Sequence, residues 1–230
     1  MKWAVVAFPG TNCEEDTRYV LANQFDQDVR VVWHHESELG PVDAVVLPGG
    51  FAHGDYLRSG AIARFSPIMD AVNNHVAKGK PVLGICNGMQ VLTEAGLLPG
   101  AMLRNDSLEF RCQWVNLRVE TRNNEFLGST EPGTVLRIPI SHGEGRYHCD
   151  AEDLRAMERG DQIVLRYCTA GGAVDDTANP NGSIDNIAGI RNASGTVFGL
   201  MPHPERACDP LLGGKDGQLI FAAMIEAMHD

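Results

Sequence analysis

What this 230-residue sequence lacks narrows its function before any motif is read. No run reaches 18 apolar residues, so no membrane-spanning helix is predicted. The opening "MKWAVVAFPGTN" has a lone Lys2 and a short apolar run, which reads as a first strand and not a targeting peptide. Basic residues are scarce: 19 Lys and Arg against 30 Asp and Glu give a net charge of −11. That sign argues against a nucleic-acid or anionic-membrane surface and fits a small-molecule enzyme or a protein partner. The six cysteines (13, 86, 112, 149, 168 and 208) form no C-x-x-C pair. Free thiols in a reducing, cytoplasmic setting are therefore expected, with packing as the default role outside any active site. Neither G-x-G-x-x-G nor G-x-x-x-x-G-K-[ST] occurs, so no nucleotide-phosphate loop is expected. No internal repeat, long linker or low-complexity tract divides the chain, and one domain over 1–230 is predicted.

What is present is a rhythm of strands and helices. "WAVVAF", "VRVVW", "DAVVLP" and "PVLGIC" are short β-branched runs without polar alternation, the pattern of parallel strands buried on both faces. Between them, Cys13, Thr17, Val20 and Leu21 follow helical spacing. Ser66-Pro67 makes an N-cap and first helical position before Ile68, Met69, Val72 and Val76. The second half reads as strands without good intervening helices: "QWVNLRVET", "TVLRIPI", "QIVLRYC" and a hairpin turning near Asn192 to Gly195. The stretch 169–186 is turn-rich and reads as a surface loop, and "GQLIFAAMIEAM" closes the chain as a helix. The predicted fold is α/β: a doubly wound, mostly parallel, flavodoxin-like sheet with extra antiparallel strands in the second half. Ligands of such sheets bind beyond the carboxyl ends of the strands.

The chemistry is concentrated at "GICNG", where a buried strand gives way to a helix carrying Met89, Leu92 and Ala95 before Gly96 stops it. A residue on such a turn is held up at the sheet edge, and the flanking glycines let backbone and substrate approach closely. The helix N-terminus beneath the sulfur favours thiolate. A small buried cysteine beside a packing glycine is the alternative reading. A nucleophile needs a base, and a base an orienting group. His34-His35 ends a strand, His75 falls on a polar helix face, and His229 is in the tail. His203 is different: "PHPE" follows a predicted strand, two prolines fix its backbone, and Glu205 lies two residues on. Cys86, His203 and Glu205 thus form a candidate triad. "LPGGFAHGD" leaves another strand at the same edge, so the N–H groups of Gly50 and Asn87 are candidate oxyanion donors, against an ordinary Gly-Gly turn. His142 and His148, six apart in a glycine-rich segment, make a weak zinc pair, and no metal is expected.

"FPGTNCEEDT", "LPGGFAHGDYLRSGAIA", "GICNGMQVLTEAGLLPG", "NDSLEFRC", "PISHGEGRY", "NPNGS" and "VFGLMPHPER", in that order, resemble the class I (triad-type) glutamine amidotransferases. Within that group they most resemble the glutaminase subunits of phosphoribosylformylglycinamidine synthases, enzymes of purine biosynthesis. The resemblance implies that Cys86 attacks the side-chain amide of L-glutamine, with His203 as base and then acid and Glu205 orienting it. It implies Gly50 and Asn87 as oxyanion donors, a glutamine-binding position at Gln90, and amino-acid contacts from Ser107, Leu108 and Phe110. His142 is read as a wall of the site or a partner contact, with a plain turn histidine as the alternative. No cofactor is implied for this chain. The implied partners are a large ATP-dependent synthetase subunit, which uses ATP and Mg²⁺ on formylglycinamide ribonucleotide, and a small third subunit. Three rivals remain: a glutaminase subunit of another pathway, a stand-alone cysteine-elbow hydrolase, and a binding subunit without catalysis.

Overall fold

The computed structural model describes residues 1–121, 125–128 and 130–229. The four β-branched runs of the first half form β1 (Lys2–Ala7), β2 (Asp28–Trp33), β3 (Ala44–Leu47) and β4 (Val82–Ile85). They alternate with α1 (Glu14–Tyr19), α2 (Ile68–Ala77) and α3 (Asn87–Glu94), with a π-helical turn continuing α1. The second half adds β5 (Ala101–Leu103), β6 (Arg111–Val119), β7 (Val135–His142) and β8 (Arg146–His148). α4 (Ala151–Arg159), β9 (Ile163–Cys168), β10 (Ile187–Arg191), β11 (Val197–Leu200) and α5 (Gln218–Ala227) complete it.

One nine-stranded sheet runs in the order β2-β1-β3-β4-β11-β10-β9-β6-β7. Its first five strands are parallel, and every pairing beyond β11 is antiparallel. The predicted hairpin is β10–β11. It inserts its second strand beside β4, with Leu200 opposite Ile85 and Phe198 opposite Leu83. That register matters most for function. It places the residues after Leu200 next to Cys86, while β3, pairing Leu47 with Gly84, delivers Gly49 and Gly50 to the same edge. β1, β3, β4 and β11 are buried almost throughout, as their uninterrupted apolar runs require.

Five local readings change. β2 is an edge strand with a mostly exposed or half-buried surface, not one buried on both faces: only one side has a neighbouring strand to cover it. α4 lies in the half read as lacking helices. Asp150 caps it, accepting from the amides of Glu152 and Asp153, but Met157 alone is buried, so no apolar period marks it. Ser66 does precede α2, yet its hydroxyl meets His34 Nδ1 at 3.1 Å instead of capping the helix amides. His75, assigned to a polar face, is buried, and burial foremost pushes its pKa down to about 4. Within 169–186, Asn181 is completely buried, so that segment is more than surface loop.

Candidate active site

Cys86 stands between the end of β4 and the start of α3 with φ 50° and ψ −107°. Positive φ on a β-carbon-bearing residue costs about 1–3 kcal/mol, so the surrounding structure has to hold it there. Its N–H donates to Leu200 O at 2.8 Å, and α3 closes under it with Gln90 N–H donating to Cys86 O at 3.2 Å. Two glycines make the turn compact. A Cβ on Gly88 would collide with the backbone of Leu47, and one on Gly84 with Leu92 and the α3 backbone. The sulfur is nearly buried and lies 3.7 Å from Ser141 O of β7.

His203 follows β11 and is held from the other side of the sheet, its N–H donating to Pro139 O of β7 at 2.8 Å. Its Nδ1 lies 2.6 Å from Glu205 Oε1, and both side chains are almost wholly buried. Burial disfavours the imidazolium, but the Glu205 carboxylate and then the Cys86 sulfur outweigh it, and the pKa of His203 stands well above the ordinary imidazole range. Among the described residues, Nε2 is buried without a hydrogen-bond partner, leaving it free for a reacting atom. Room for the ring comes from Gly49, whose Cβ would lie 2.6 Å from His203 Cε1.

Beside the sulfur opens a cleft of about 310 Å³, lined among others by Gly50, Phe51, Gln90, Leu108, Phe110 and His142. Gly50, at φ 151°, is packed so tightly that a Cβ would sit 2.6 Å from Thr11 Cα. Among the described residues, its N–H has no backbone acceptor. Asn87 N–H, in the first turn of α3, has no intrahelical acceptor. A strained cysteine over a helix N-terminus, an acid-backed histidine and two free amides at one sheet edge suit attack on an amide or ester carbonyl.

Residues 1–213 match the family described as the CobB/CobQ-like glutamine amidotransferase domain. The chain belongs to that family. It is 54% identical over 224 residues, 97% of this chain and 95% of the relative, to a protein of Salinibacter ruber named phosphoribosylformylglycinamidine synthase subunit PurQ. The subunit of the same name from Aquifex aeolicus is 52% identical over 98% of this chain and 99% of its own. Among solved structures, PurLQS from Thermotoga maritima aligns with a TM-score of 0.86 at 40% identity, covering 98% of this chain and 97% of that one. A second Thermotoga maritima glutamine amidotransferase, at 17% identity and a TM-score of 0.64 over 99% and 97% of the two chains, shares the fold.

The cleft gathers most of the sequence candidates but gives some a different setting. Gln90 lines it yet spends its side chain on the protein, Oε1 accepting from Asn87 Nδ2 at 2.8 Å and Nε2 donating to Glu144 O at 2.6 Å. Asn87 also accepts from Ala52 N–H at 2.9 Å, tying the Gly50 loop to α3. Leu108 and Phe110 sit at the exposed rim. Ser107 does not line the cleft; its hydroxyl accepts from Glu109 N–H.

His142 is a wall locked in one tautomer. Asn105 Oδ1 already accepts from Gly145 N–H and so takes the His142 Nδ1 proton at 3.1 Å, while Asn181 Nδ2 donates to Nε2 at 3.4 Å. Deep burial foremost, and then the neighbouring His203 charge, push its pKa down to about 4. Sequence reasoning found neither asparagine, because both lie in turn-rich segments whose burial comes from tertiary packing. It also missed Asp55, Ser59, Arg104 and Glu144 in the cleft, and Gly49 behind His203.

Five of the six cysteines are buried, whereas Cys112 is exposed. Cys13 does more than pack: its sulfur lies 3.9 Å from His203 Nδ1 and accepts from Arg206 at 3.2 Å. Donor atoms of Cys13, His203 and Glu205 lie within 4.8 Å of one another, the closeness a metal ion needs. The Arg206 cation on the sulfur and the Glu205 carboxylate on Nδ1 already occupy those donors.

Proposed function

We infer that this chain is the glutaminase subunit of a phosphoribosylformylglycinamidine synthase, acting through Cys86, His203 and Glu205. The observation that carries the catalytic assignment is the register of β4 and β11. It sets a strained cysteine and a carboxylate-backed histidine at one sheet edge, beside a cleft of about 310 Å³. The names of the high-identity relatives support the pathway over other amidotransferase pathways.

Cys86 gives its thiol proton to His203 Nε2 as its sulfur adds to the side-chain carbonyl carbon of L-glutamine, and the oxyanion is received by the N–H groups of Gly50 and Asn87. As the C–N bond breaks, His203 Nε2 gives its proton to the leaving nitrogen, which departs as ammonia and leaves a thioester. His203 then takes a proton from water, whose oxygen attacks the thioester. Glutamate leaves, and the sulfur regains its proton through His203. Glu205 keeps the imidazole oriented and supports its charge throughout.

No helix among the described residues is long and apolar enough to cross a membrane. Ammonia passes to a large ATP-dependent synthetase subunit that aminates formylglycinamide ribonucleotide, and a small third subunit completes the cytoplasmic assembly. The name of the PurLQS neighbour, which joins Q to L and S, supports both partners. The test is glutamate release from glutamine by the protein alone and with that synthetase, ATP, Mg²⁺ and formylglycinamide ribonucleotide. Partner-stimulated release that disappears in Cys86→Ala is expected; equal release by wild type and variant sinks the assignment.

A further inference from the structure

We propose that Asp55 and Arg104 set the amino-acid specificity of the cleft, Asp55 accepting the α-ammonium and Arg104 the α-carboxylate of the substrate. The proposal deepens the glutaminase reading and rests on it. With the reacting amide fixed between Cys86 and the Gly50 and Asn87 amides, the rest of the cleft must receive a zwitterionic head. Among the described residues, only three charged side chains line that space: Asp55, Arg104 and Glu144. The other walls are apolar, as at Phe51, Leu108 and Phe110, or are polar groups already bonded within the protein, as at Gln90 and His142.

The three charged groups differ in how free they are. Glu144 is engaged on both oxygens, Oε2 accepting from Ser59 N–H at 3.1 Å and Ser59 Oγ at 2.9 Å, and Oε1 lying 3.5 Å from Arg104 Nε. It acts as the bracket that aims Arg104 across the mouth. Arg104 is otherwise largely exposed, and its terminal nitrogens are free to pair with a carboxylate. Asp55 is half-buried and receives Asn87 Nδ2 on Oδ1 at 3.2 Å, which orients it and leaves acceptor capacity toward the cleft. Burial first, and then the neighbouring Glu144 charge, push its pKa up to about 6. A carboxylate so placed lacks a cation, and an α-ammonium would supply one.

The test compares L-glutamine with 4-carbamoylbutanoate, the same molecule without its α-amino group, as substrates of the assembled complex. Asp55→Asn is expected to lower kcat/KM for glutamine about 10–100-fold, chiefly through KM, and to leave the desamino substrate unchanged. Arg104→Gln, at an exposed side chain that the fold tolerates losing, should raise KM for both, since both carry the carboxylate. The rate of Cys86 alkylation by iodoacetamide checks that the elbow is intact in each variant. An unchanged preference in Asp55→Asn, or an equal loss on both substrates with normal alkylation, overturns the ammonium assignment. No change in KM in Arg104→Gln overturns the carboxylate assignment. Glutamine turnover as fast in Cys86→Ala as in wild type would instead overturn the glutaminase reading beneath them.

Discussion

His203 meets Glu205 at 2.6 Å through Nδ1, while its other ring nitrogen is buried with no hydrogen-bond partner among the described residues. The two residues are separated by one proline, so the pairing is built locally, and β11 has only to carry it to Cys86.

Glu205→Gln therefore isolates the carboxylate's contribution. The amide keeps the shape and the oxygen that accepts from Nδ1, but it cannot support the charge on the ring. The expected result is a fall of about 10³–10⁴-fold in kcat with the fold retained. The His203 titration, followed by NMR, should move down, because the carboxylate is the foremost influence raising it. An unshifted histidine titration would remove Glu205 from the triad.

Gly49→Ala tests the space behind the ring. Gly49 has no positive φ, so its backbone accepts alanine, but the new Cβ would lie 2.6 Å from His203 Cε1 and 3.1 Å from Cys13 Sγ. The ring must shift. A roughly 100-fold loss of glutaminase rate is expected, with a stability loss of about 1–3 kcal/mol measured by urea unfolding. Near-normal turnover would mean that the histidine tolerates displacement.

Cys86 and the His203–Glu205 pair, the triad proposed above, could be picked out of the sequence because each is announced locally: glycines flank Cys86, and prolines flank His203. The parallel strands were legible from unbroken apolar runs. What escaped depends on long-range packing. α4 buries one apolar residue and so has no period to read. Asp55 and Glu144 are 89 positions apart and become neighbours only when the "SHGEGR" segment closes over the cleft. Asn181 looks like any loop asparagine until "NPNGS" is folded beneath His142.

That asparagine is a keystone, and Asn181→Ala should be costly. Its amide nitrogen donates to Gly145 O at 2.8 Å and to His142 Nε2 and Tyr167 Oη at longer range, while its oxygen accepts from Ser183 N–H and Oγ. All of this is buried, so truncation strands several polar groups at once. A loss of about 2–4 kcal/mol in urea unfolding is expected. A loss below 1 kcal/mol would show that water replaces the amide without penalty.

The neutral state of His142 predicts a distinct acid sensitivity. Its pKa is about 4 in the folded protein against about 6.5 unfolded. Between those values the unfolded chain binds the extra proton and the folded chain does not. Stability is therefore full above pH 6.5 and declines as the pH falls toward 4, by about 2 kcal/mol at pH 5 from this residue. His75, also near 4, adds a loss of the same sign over the same range. His203 has the opposite displacement, so its contribution is fully present below pH 6.5 and does not change there. His142→Gln keeps a donor and an acceptor but cannot titrate. Between pH 7.5 and pH 5 its loss of stability in urea unfolding should be smaller than that of wild type by about 2 kcal/mol, the part that belongs to His142. An identical fall in both proteins would mean that His142 is already protonated in the fold, which the two asparagine contacts oppose.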